Sequence, residues 1–339
     1  MRMSCRASCG ILLLAAAVGC VAPAATAGAA DPDAPEAEVV AEAVAAIGAL
    51  PTRVLWIGAH PDDELIASPL LYALCHLPGT TCRMLVVTDG GKGNCLLSPE
   101  ACGVKDAGGA APGTLGAVRL GELSRSASLL GAGLDALALE DTASDTVLGD
   151  MQNWNQALTH VPGDSSIDRM VAVVAQAITA VHADLIVTFD PRHGTYCHPD
   201  HRAAGTLAIL GAARAGLSAS QVLMTELTGA YVDASGQLAQ RPWVPSDPAL
   251  VTYDAGAAGT WPVWPAVMST HASQFAPAAT LLFAAAPAAA RRLPFAPLSG
   301  ELVGGAFPPS PYDAICASET RWDGHGVCPT AAGGTGPCW

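Results

Sequence analysis

The stretch RVLWIGAHPDDE, residues 53–64, decides the fold. Its first part is apolar after Arg53 and rich in β-forming residue types, which predicts a buried strand over 53–59. The segment 63–77 is predicted to be a helix, and RMLVVT at 83–88 the next strand. A strand, a helix and a strand this close together predict parallel pairing with a right-handed crossover.

Working outward, the same alternation continues along the chain. Helices are predicted over 118–130 and 167–181, and strands over 134–139 and 184–189, with a glycine-rich loop at 90–116. This pattern predicts an α/β fold of the Rossmann-like kind, a mostly parallel sheet with helices on both faces. After about residue 235 the pattern loosens into Pro, Trp and Ala.

Composition excludes two classes of partner. The 339 residues carry 16 basic against 30 acidic side chains, a formal charge of −14, and Lys92 and Lys105 are the only lysines. A chain this acidic lacks the positive surface that nucleic acid or an anionic membrane requires. Because 51% of its residues are apolar, wholesale disorder is excluded as well.

The N-terminus predicts export to the cell envelope, the periplasm or the medium. Residues 1–30 form a signal peptide in this interpretation: Arg2 and Arg6 precede the apolar run 11–19, and an Ala-Ala-Thr-Ala site follows. The apolar run is too short to span a membrane. Lipidation of Cys20 remains an alternative, although Ala17 stands where such sites favour a larger aliphatic residue.

The predicted organisation continues with a leader helix or linker over 31–50, one large domain over 51–300 and a Gly/Pro/Cys-rich tail over 301–339. Eight cysteines follow the signal peptide, an even number that in an exported chain favours disulfides over free thiols or a zinc knuckle. The expected pairs are Cys75–Cys82, Cys95–Cys102, and Cys197 with one of Cys316, Cys328 and Cys338, the other two pairing together.

The first cluster of reactive side chains follows the strand 53–59. Ligands of parallel sheets bind beyond the carboxyl ends of the strands, so this edge is where a site is expected. His60 and Asp63 could present a nitrogen and an oxygen to one divalent ion, and Asp62 could act on a water molecule. The alternative is that Asp62 or Asp63 caps the following helix.

The second cluster, HPDH at 198–201, follows the predicted strand 184–189 and falls on the same edge of the sheet. His198 and His201 are three residues apart near a helix start and face roughly the same way. Either histidine could supply the third ligand of a catalytic zinc site with an open position.

Together the two motifs resemble those of the PIG-L/LmbE-like zinc-dependent N-deacetylases. The resemblance extends over about residues 50–290, with LIASP at 65–69 departing from the glycine-rich stretch often found there. It rests on AHPDDE (59–64), VVTDGGKG (86–93), RLGELSRSASLLG (119–131), LIVTFDPRHGTYCHPDH (185–201) and HASQ (271–274).

The resemblance implies a role for each matching residue. His60, Asp63 and His201 would bind Zn²⁺, Asp62 would be the general base, and His198 would stabilise or protonate the tetrahedral intermediate. Zinc would polarise the amide carbonyl and activate the attacking water. The implied activity is removal of an N-acyl group, most simply acetyl, from an amino sugar or glycoconjugate.

Further residues support weaker predictions. Tyr196 matches a family tyrosine at the pocket mouth and is a candidate substrate residue. Arg119 matches the family's R-x-x-E helix, where it would contact substrate or form an ion pair with Glu122. His193 and His271 could line the pocket or be ordinary buried histidines. Tryptophans that could stack on a sugar or simply pack are Trp243, Trp261 and Trp264.

Three other functions remain open. The enzyme could hydrolyse a different amide, in a thiol conjugate, an acylated lipid or an antibiotic. The chain could instead be an inactive, secreted carbohydrate-binding protein, against which the intact Asp62 argues. It could also be a metal-scavenging or structural lipoprotein anchored through Cys20.

Overall fold

The computed structural model describes residues 50–102, 105–106, 109–110, 114–141, 146–195, 198–226, 230–232, 238–240, 251–298, 327–329 and 335–337. The predicted signal peptide, almost all of the leader helix, Tyr196, Cys197 and Trp243 lie outside these residues. So does most of the tail.

A seven-stranded sheet forms the centre of the molecule. Its strands are β1 (Arg53–Gly58), β2 (Thr81–Thr88), β3 (Ala132–Leu139), β4 (Leu185–Phe189), β5 (Val222–Thr225), β6 (Val251–Asp254) and β7 (Arg292–Pro297). They lie in the order β6-β7-β5-β4-β1-β2-β3. The five strands from β5 to β3 are parallel, and β7 and β6 add antiparallel at one edge. The predicted mostly parallel α/β fold is confirmed.

The helices cover both faces of this sheet. They are α1 (Ser68–Cys75), α2 (Thr114–Leu130), α3 (Val147–Thr159), α4 (Asp168–Val181), α5 (Pro199–Arg214), α6 (Val263–Thr270) and α7 (Pro277–Ala284). Shorter helical turns cover Asp63–Ala67, Pro99–Cys102, Ala219–Gln221 and Ala288–Arg291. Short strand pairs join Lys105–Asp106 to Gly109–Ala110, Ala230–Val232 to Leu238–Gln240, and Val327–Pro329 to Thr335–Pro337.

Successive side chains of β1 point to opposite faces of the sheet and pack into two separate hydrophobic cores. Val54 and Trp56 face the core that α1, α2 and α6 cover, while Leu55 and Ile57 face the core beneath α3, α4 and α5. All four side chains are buried, as expected for the central strand of a sheet covered on both faces. This is why the decisive stretch reads as a continuous apolar run.

The strand order reverses between β1 and β4. From β1 the chain moves outward through β2 and β3, and it returns at β4 on the other side of β1. Such a switch point opens a crevice beyond the carboxyl ends of the two strands, where ligands of doubly wound sheets bind. The segments carrying both histidine motifs leave these two strand ends.

Two expectations about helices and strands need correction. The predicted helix 63–77 begins with a 3-10 turn over Asp63–Ala67, and α1 starts only at Ser68, where Pro69 occupies an early helical position that suits proline. Regular structure also continues beyond residue 235, in β6, α6, α7 and β7. Its periodicity is hidden because prolines and alanines occupy strand and helix positions there.

Both short-loop disulfides predicted from the sequence are confirmed. Cys75 at the end of α1 is bonded to Cys82 in β2, with Cα atoms 5.5 Å apart, and Cys95 is bonded to Cys102. The pairing predicted for Cys197 and the tail lies outside the described residues. Among the described helices, none is both long and apolar enough to cross a membrane.

The double variant Cys75→Ala/Cys82→Ala should unfold at lower temperature than the parent protein. Opening a short loop gives the unfolded chain more conformational entropy, which corresponds to about 2–3 kcal/mol of stability. Calorimetry of the oxidised proteins measures the difference in Tm, and an unchanged Tm would contradict a stabilising bridge.

Candidate active site

The structure brings both sequence motifs together at the switch point. His60 follows β1 by two residues, and His198 is the N-cap of α5, which begins at Pro199 after the loop leaving β4. The rings of His60 and His198 have centroids 4.9 Å apart, and those of His198 and His201 are 4.4 Å apart. Two parts of the chain that are far apart in sequence, separated by 141 positions between His60 and His201, therefore line one site.

Asp63 has two separate tasks. Its Oδ2 accepts hydrogen bonds from the backbone N–H groups of Ala59 and His60, each at 2.7 Å. The other oxygen, Oδ1, is left facing His201 Nε2 at 3.0 Å and His60 Nδ1 at 3.6 Å. Gly58 makes this close packing feasible, because a Cβ there would lie 3.3 Å from Asp63 Oδ2.

His201 is oriented by a backbone carbonyl. Its Nδ1 donates to Gly194 O at 2.7 Å, so in the neutral ring Nε2 carries the lone pair. Gly194 has φ of 52°, and a Cβ there would lie 3.0 Å from His198 O and closer still to Arg202. The carbonyl that sets the His201 tautomer thus depends on a glycine.

His60 is oriented from the opposite side by a carboxylate. The Nε2 atom of His60 lies 3.0 Å from Asp200 Oδ2, within the HPDH motif. Since an ionised carboxylate only accepts hydrogen bonds, the proton of the neutral ring is assigned to Nε2 and the lone pair to Nδ1. Asp200 therefore orients the His60 ring, a role that the sequence motif alone does not show.

Three lone pairs converge as a result. His60 Nδ1, Asp63 Oδ1 and His201 Nε2 lie 3.0, 3.2 and 3.6 Å from one another, and in the neutral tautomers assigned above no proton lies between the two nitrogens. Ligand atoms of a tetrahedral zinc ion lie about 3.4 Å apart, given bond lengths of about 2.0–2.2 Å. The donor types and their spacing therefore fit a divalent cation with a fourth position open.

Electrostatics also favour a cation at this point. Burial lowers the pKa of His60, but the carboxylates of Asp63, Asp200 and Asp141 outweigh it and raise that pKa well above its ordinary value. Burial raises the pKa of Asp63, but His201 and His60 outweigh burial and lower that pKa to well below its ordinary value. Both pKa shifts indicate that the surroundings of these side chains stabilise positive charge between them.

Asp62 lies beside these three residues in a strained conformation. Its φ of 123° is outside the range that non-glycine residues ordinarily adopt. Arg119 donates to Asp62 Oδ1 at 2.6 Å and to Pro61 O at 2.7 Å. Although Asp62 is the residue before the helical turn, its side chain makes no capping hydrogen bond there, so the capping interpretation is wrong for Asp62.

The environment of Asp62 suits a base. Burial raises the pKa of Asp62, Arg119 lowers it and Asp63 raises it again, and the net direction is upward. A carboxyl whose pKa approaches the working pH transfers protons more effectively than an ordinary one.

His198 is poised as a hydrogen-bond donor. Its Nδ1 accepts from the backbone N–H of Asp200 at 3.2 Å, which leaves the ring proton on Nε2. Burial lowers the pKa of His198, and the neighbouring His201 and His60 lower it further, to well below the ordinary value. Both effects favour the neutral form of the His198 ring.

The structure places the weaker candidates differently from one another. Arg119 is 4% exposed, and it pairs with Asp62 and not with Glu122, which accepts from Ser273. This arrangement favours a positioning role for Arg119 over the predicted substrate contact. Trp261 is buried and donates to Phe283 O, which favours packing over sugar stacking.

Two acidic features were missed from the sequence. Asp141 follows β3 at the same sheet edge, and its buried Oδ1, which has no hydrogen-bond partner among the described residues, lies 3.9 Å from His60 Nε2. Its place just after a strand could have identified it. A second buried cluster joins Asp190, His193 and Glu226 beyond β4 and β5, where burial raises the pKa of Glu226 to about 7.

Curated relatives match about half of the chain. It is 31% identical over 166 residues to a 1D-myo-inositol 2-acetamido-2-deoxy-α-D-glucopyranoside deacetylase of Catenulispora acidiphila, covering 49% of this chain and 46% of that one. The identity is 30% over 165 residues to the enzyme of the same name from Rhodococcus jostii, covering 48% and 54%. The chain thus spans about half the length of these relatives.

Among solved structures, the N,N'-diacetylchitobiose deacetylase of Pyrococcus horikoshii is 22% identical with a TM-score of 0.35, covering 52% of this chain and 57% of that one. The family model described as GlcNAc-PI de-N-acetylase, PIG-L, matches residues 55–210, which include both histidine motifs. Over that segment, which is less than half of the chain, the sequence is similar to the PIG-L family.

Proposed function

We propose that the protein is an exported, zinc-dependent N-deacetylase that acts on an amino sugar or glycoconjugate. The observation that carries the proposal is the convergence of His60 Nδ1, Asp63 Oδ1 and His201 Nε2 beside the strained Asp62. The relatives named as deacetylases of a 2-acetamido-2-deoxy-glucopyranoside support an N-acetylated sugar as the substrate class.

Each residue has a task in amide hydrolysis. A divalent cation held by His60, Asp63 and His201 would supply the Lewis acidity that polarises the amide carbonyl and makes water a stronger acid. Asp62 accepts a proton from the attacking water. His198 donates a hydrogen bond from Nε2 to the carbonyl oxygen as negative charge develops there.

Supporting residues keep these groups in place. Asp200 holds the His60 ring and Gly194 O holds the His201 ring, so both nitrogens point to the same place before substrate arrives. Arg119 donates a hydrogen bond to Oδ1 of the Asp62 carboxylate. Pre-set orientation of this kind lowers the entropy that the reaction must lose.

Export is supported by two independent features. Residues 1–30 have the order of a secretory signal, and two disulfides join cysteines of the described chain. Disulfides of this kind persist in oxidising compartments outside the cytoplasm.

The substrate class is tested by release of acetate. We expect the purified protein to release acetate from at least one member of a panel of N-acetylated saccharides, and a chelator to abolish the release. A panel of other N-acyl compounds, including thiol conjugates and acylated lipids, distinguishes a different amidase. Saccharide binding without turnover of any substrate would contradict the proposal.

Zinc content tests the ligand assignment. His60→Ala and His201→Ala should each lose most of the metal, because a site with three protein ligands tolerates the loss of none. His76→Ala is the matched control, since His76 is an exposed histidine near the end of α1. Metal analysis that finds about one zinc in both site variants would overturn the assignment.

Asp62→Asn separates the base from the ligands. The variant should keep its zinc and lose activity by about 10²–10⁴-fold, the range for a group that transfers a proton in the transition state. Kinetics and metal analysis of the same preparation measure both effects. Full activity in Asp62→Asn would move the base to another carboxylate.

A further inference from the structure

The carboxylate of Glu64 is wholly buried and joins three parts of the chain. His271 Nε2 lies 2.6 Å from Oε1, and Ser126 Oγ donates to the same oxygen at 2.5 Å. The other oxygen, Oε2, accepts the backbone N–H of Asp62 at 3.2 Å. Glu64 thus links the candidate base to His271, which lies 207 positions after Glu64 in the chain.

The Asp62 backbone needs such support. A non-glycine residue held at an unusual φ is strained, and it persists only where its surroundings over-determine its conformation. Arg119 holds the Asp62 side chain and Pro61 O, and Glu64 holds the Asp62 N–H. These contacts fix Asp62 from both sides of its Cα.

His271 is placed by the end of α6. It is the residue that caps this helix, and its side chain is wholly buried. The following residues are anchored as well, since Ser273 donates to Glu122 and Gln274 donates to Asn94 O. The HASQ segment therefore approaches the first motif as a fixed element.

A buried carboxylate requires strong donors. Burial lowers the pKa of His271, but Glu64 outweighs it and raises that pKa above its ordinary value. Without the histidine N–H, Oε1 of Glu64 would keep one hydroxyl donor, and a buried charge with too few partners reorients to find others. A reoriented Glu64 carboxylate would release the N–H of Asp62.

We propose that His271, acting through Glu64, is a positioning residue that holds Asp62 in its left-handed conformation. The inference rests on the proposed function only for what Asp62 does. The geometry that it concerns, from His271 to the Asp62 N–H, can be measured without any substrate.

The test compares three substitutions of His271. In His271→Gln the amide nitrogen can reach Glu64 as Nε2 does, whereas in His271→Asn it is too short, and His271→Leu has no donor. We expect the Asn and Leu variants to lose about 10- to 100-fold in kcat, the size of effect that a small misplacement causes. KM and zinc content should stay near the parent values, and His271→Gln should recover most of kcat.

Hydrogen exchange gives a readout that does not depend on activity. The Asp62 amide should exchange faster in the Asn and Leu variants than in the parent protein, and at the parent rate in His271→Gln. Tyr253→Phe is the control: it removes a buried hydroxyl that lies 2.8 Å from Thr260 Oγ1, far along the chain from the first motif. It should lower Tm without changing kcat or the exchange of Asp62.

Two results would overturn the proposal. One is unchanged exchange at Asp62 in His271→Asn, the variant whose side chain is too short to reach Glu64. The other is a His271→Gln variant as impaired as His271→Asn, because the contact with Glu64 would then be irrelevant. If the parent protein hydrolyses no substrate of either panel, the proposed function fails while the exchange data still decide the positioning.

Discussion

Three lone pairs that face one another, on His60, Asp63 and His201, are the constraint on which the site depends. Without a cation, the lone pairs of two imidazole nitrogens 3.2 Å apart beside a carboxylate repel one another, so the groups would bind a proton or move apart. The surrounding structure prevents separation, because Asp200, Gly194 O and the amides of Ala59 and His60 hold each group from behind. Three lone pairs held this close to one another favour binding of a cation between His60 Nδ1, Asp63 Oδ1 and His201 Nε2.

The sheet explains why these groups meet. Parallel strands end at one edge, and the reversal of strand order between β1 and β4 leaves a crevice there. The sequence predicts the shared edge, though not the strand order, because RVLWIG and LIVTF are apolar runs of strand length and a His-Pro-Asp motif follows each of them. The position of His60, Asp63, His198 and His201 at one edge follows from the pattern alone.

What the pattern could not predict are contacts made between distant parts of the chain. The pairing of His60 with Asp200 and of Glu64 with His271 depends on how helices pack across the sheet. The strained backbone of Asp62 and its contact with Arg119 arise in the same way. The R-x-x-E pattern suggests an ion pair between Arg119 and Glu122 within α2, but in the folded protein Arg119 contacts Asp62 in the first motif. His271 and Ser273, which lie beyond the segment that matches the family model, add contacts with Glu64 and Glu122.

We propose that His60 Nδ1, Asp63 Oδ1 and His201 Nε2 hold one zinc ion. Crystals of the zinc-loaded protein, measured at the zinc absorption edge, locate the ion directly by anomalous scattering. We expect a single strong peak about 2.0–2.2 Å from each of the three atoms. A peak at Asp190, His193 and Glu226 instead, or no peak beside Asp62, would contradict it.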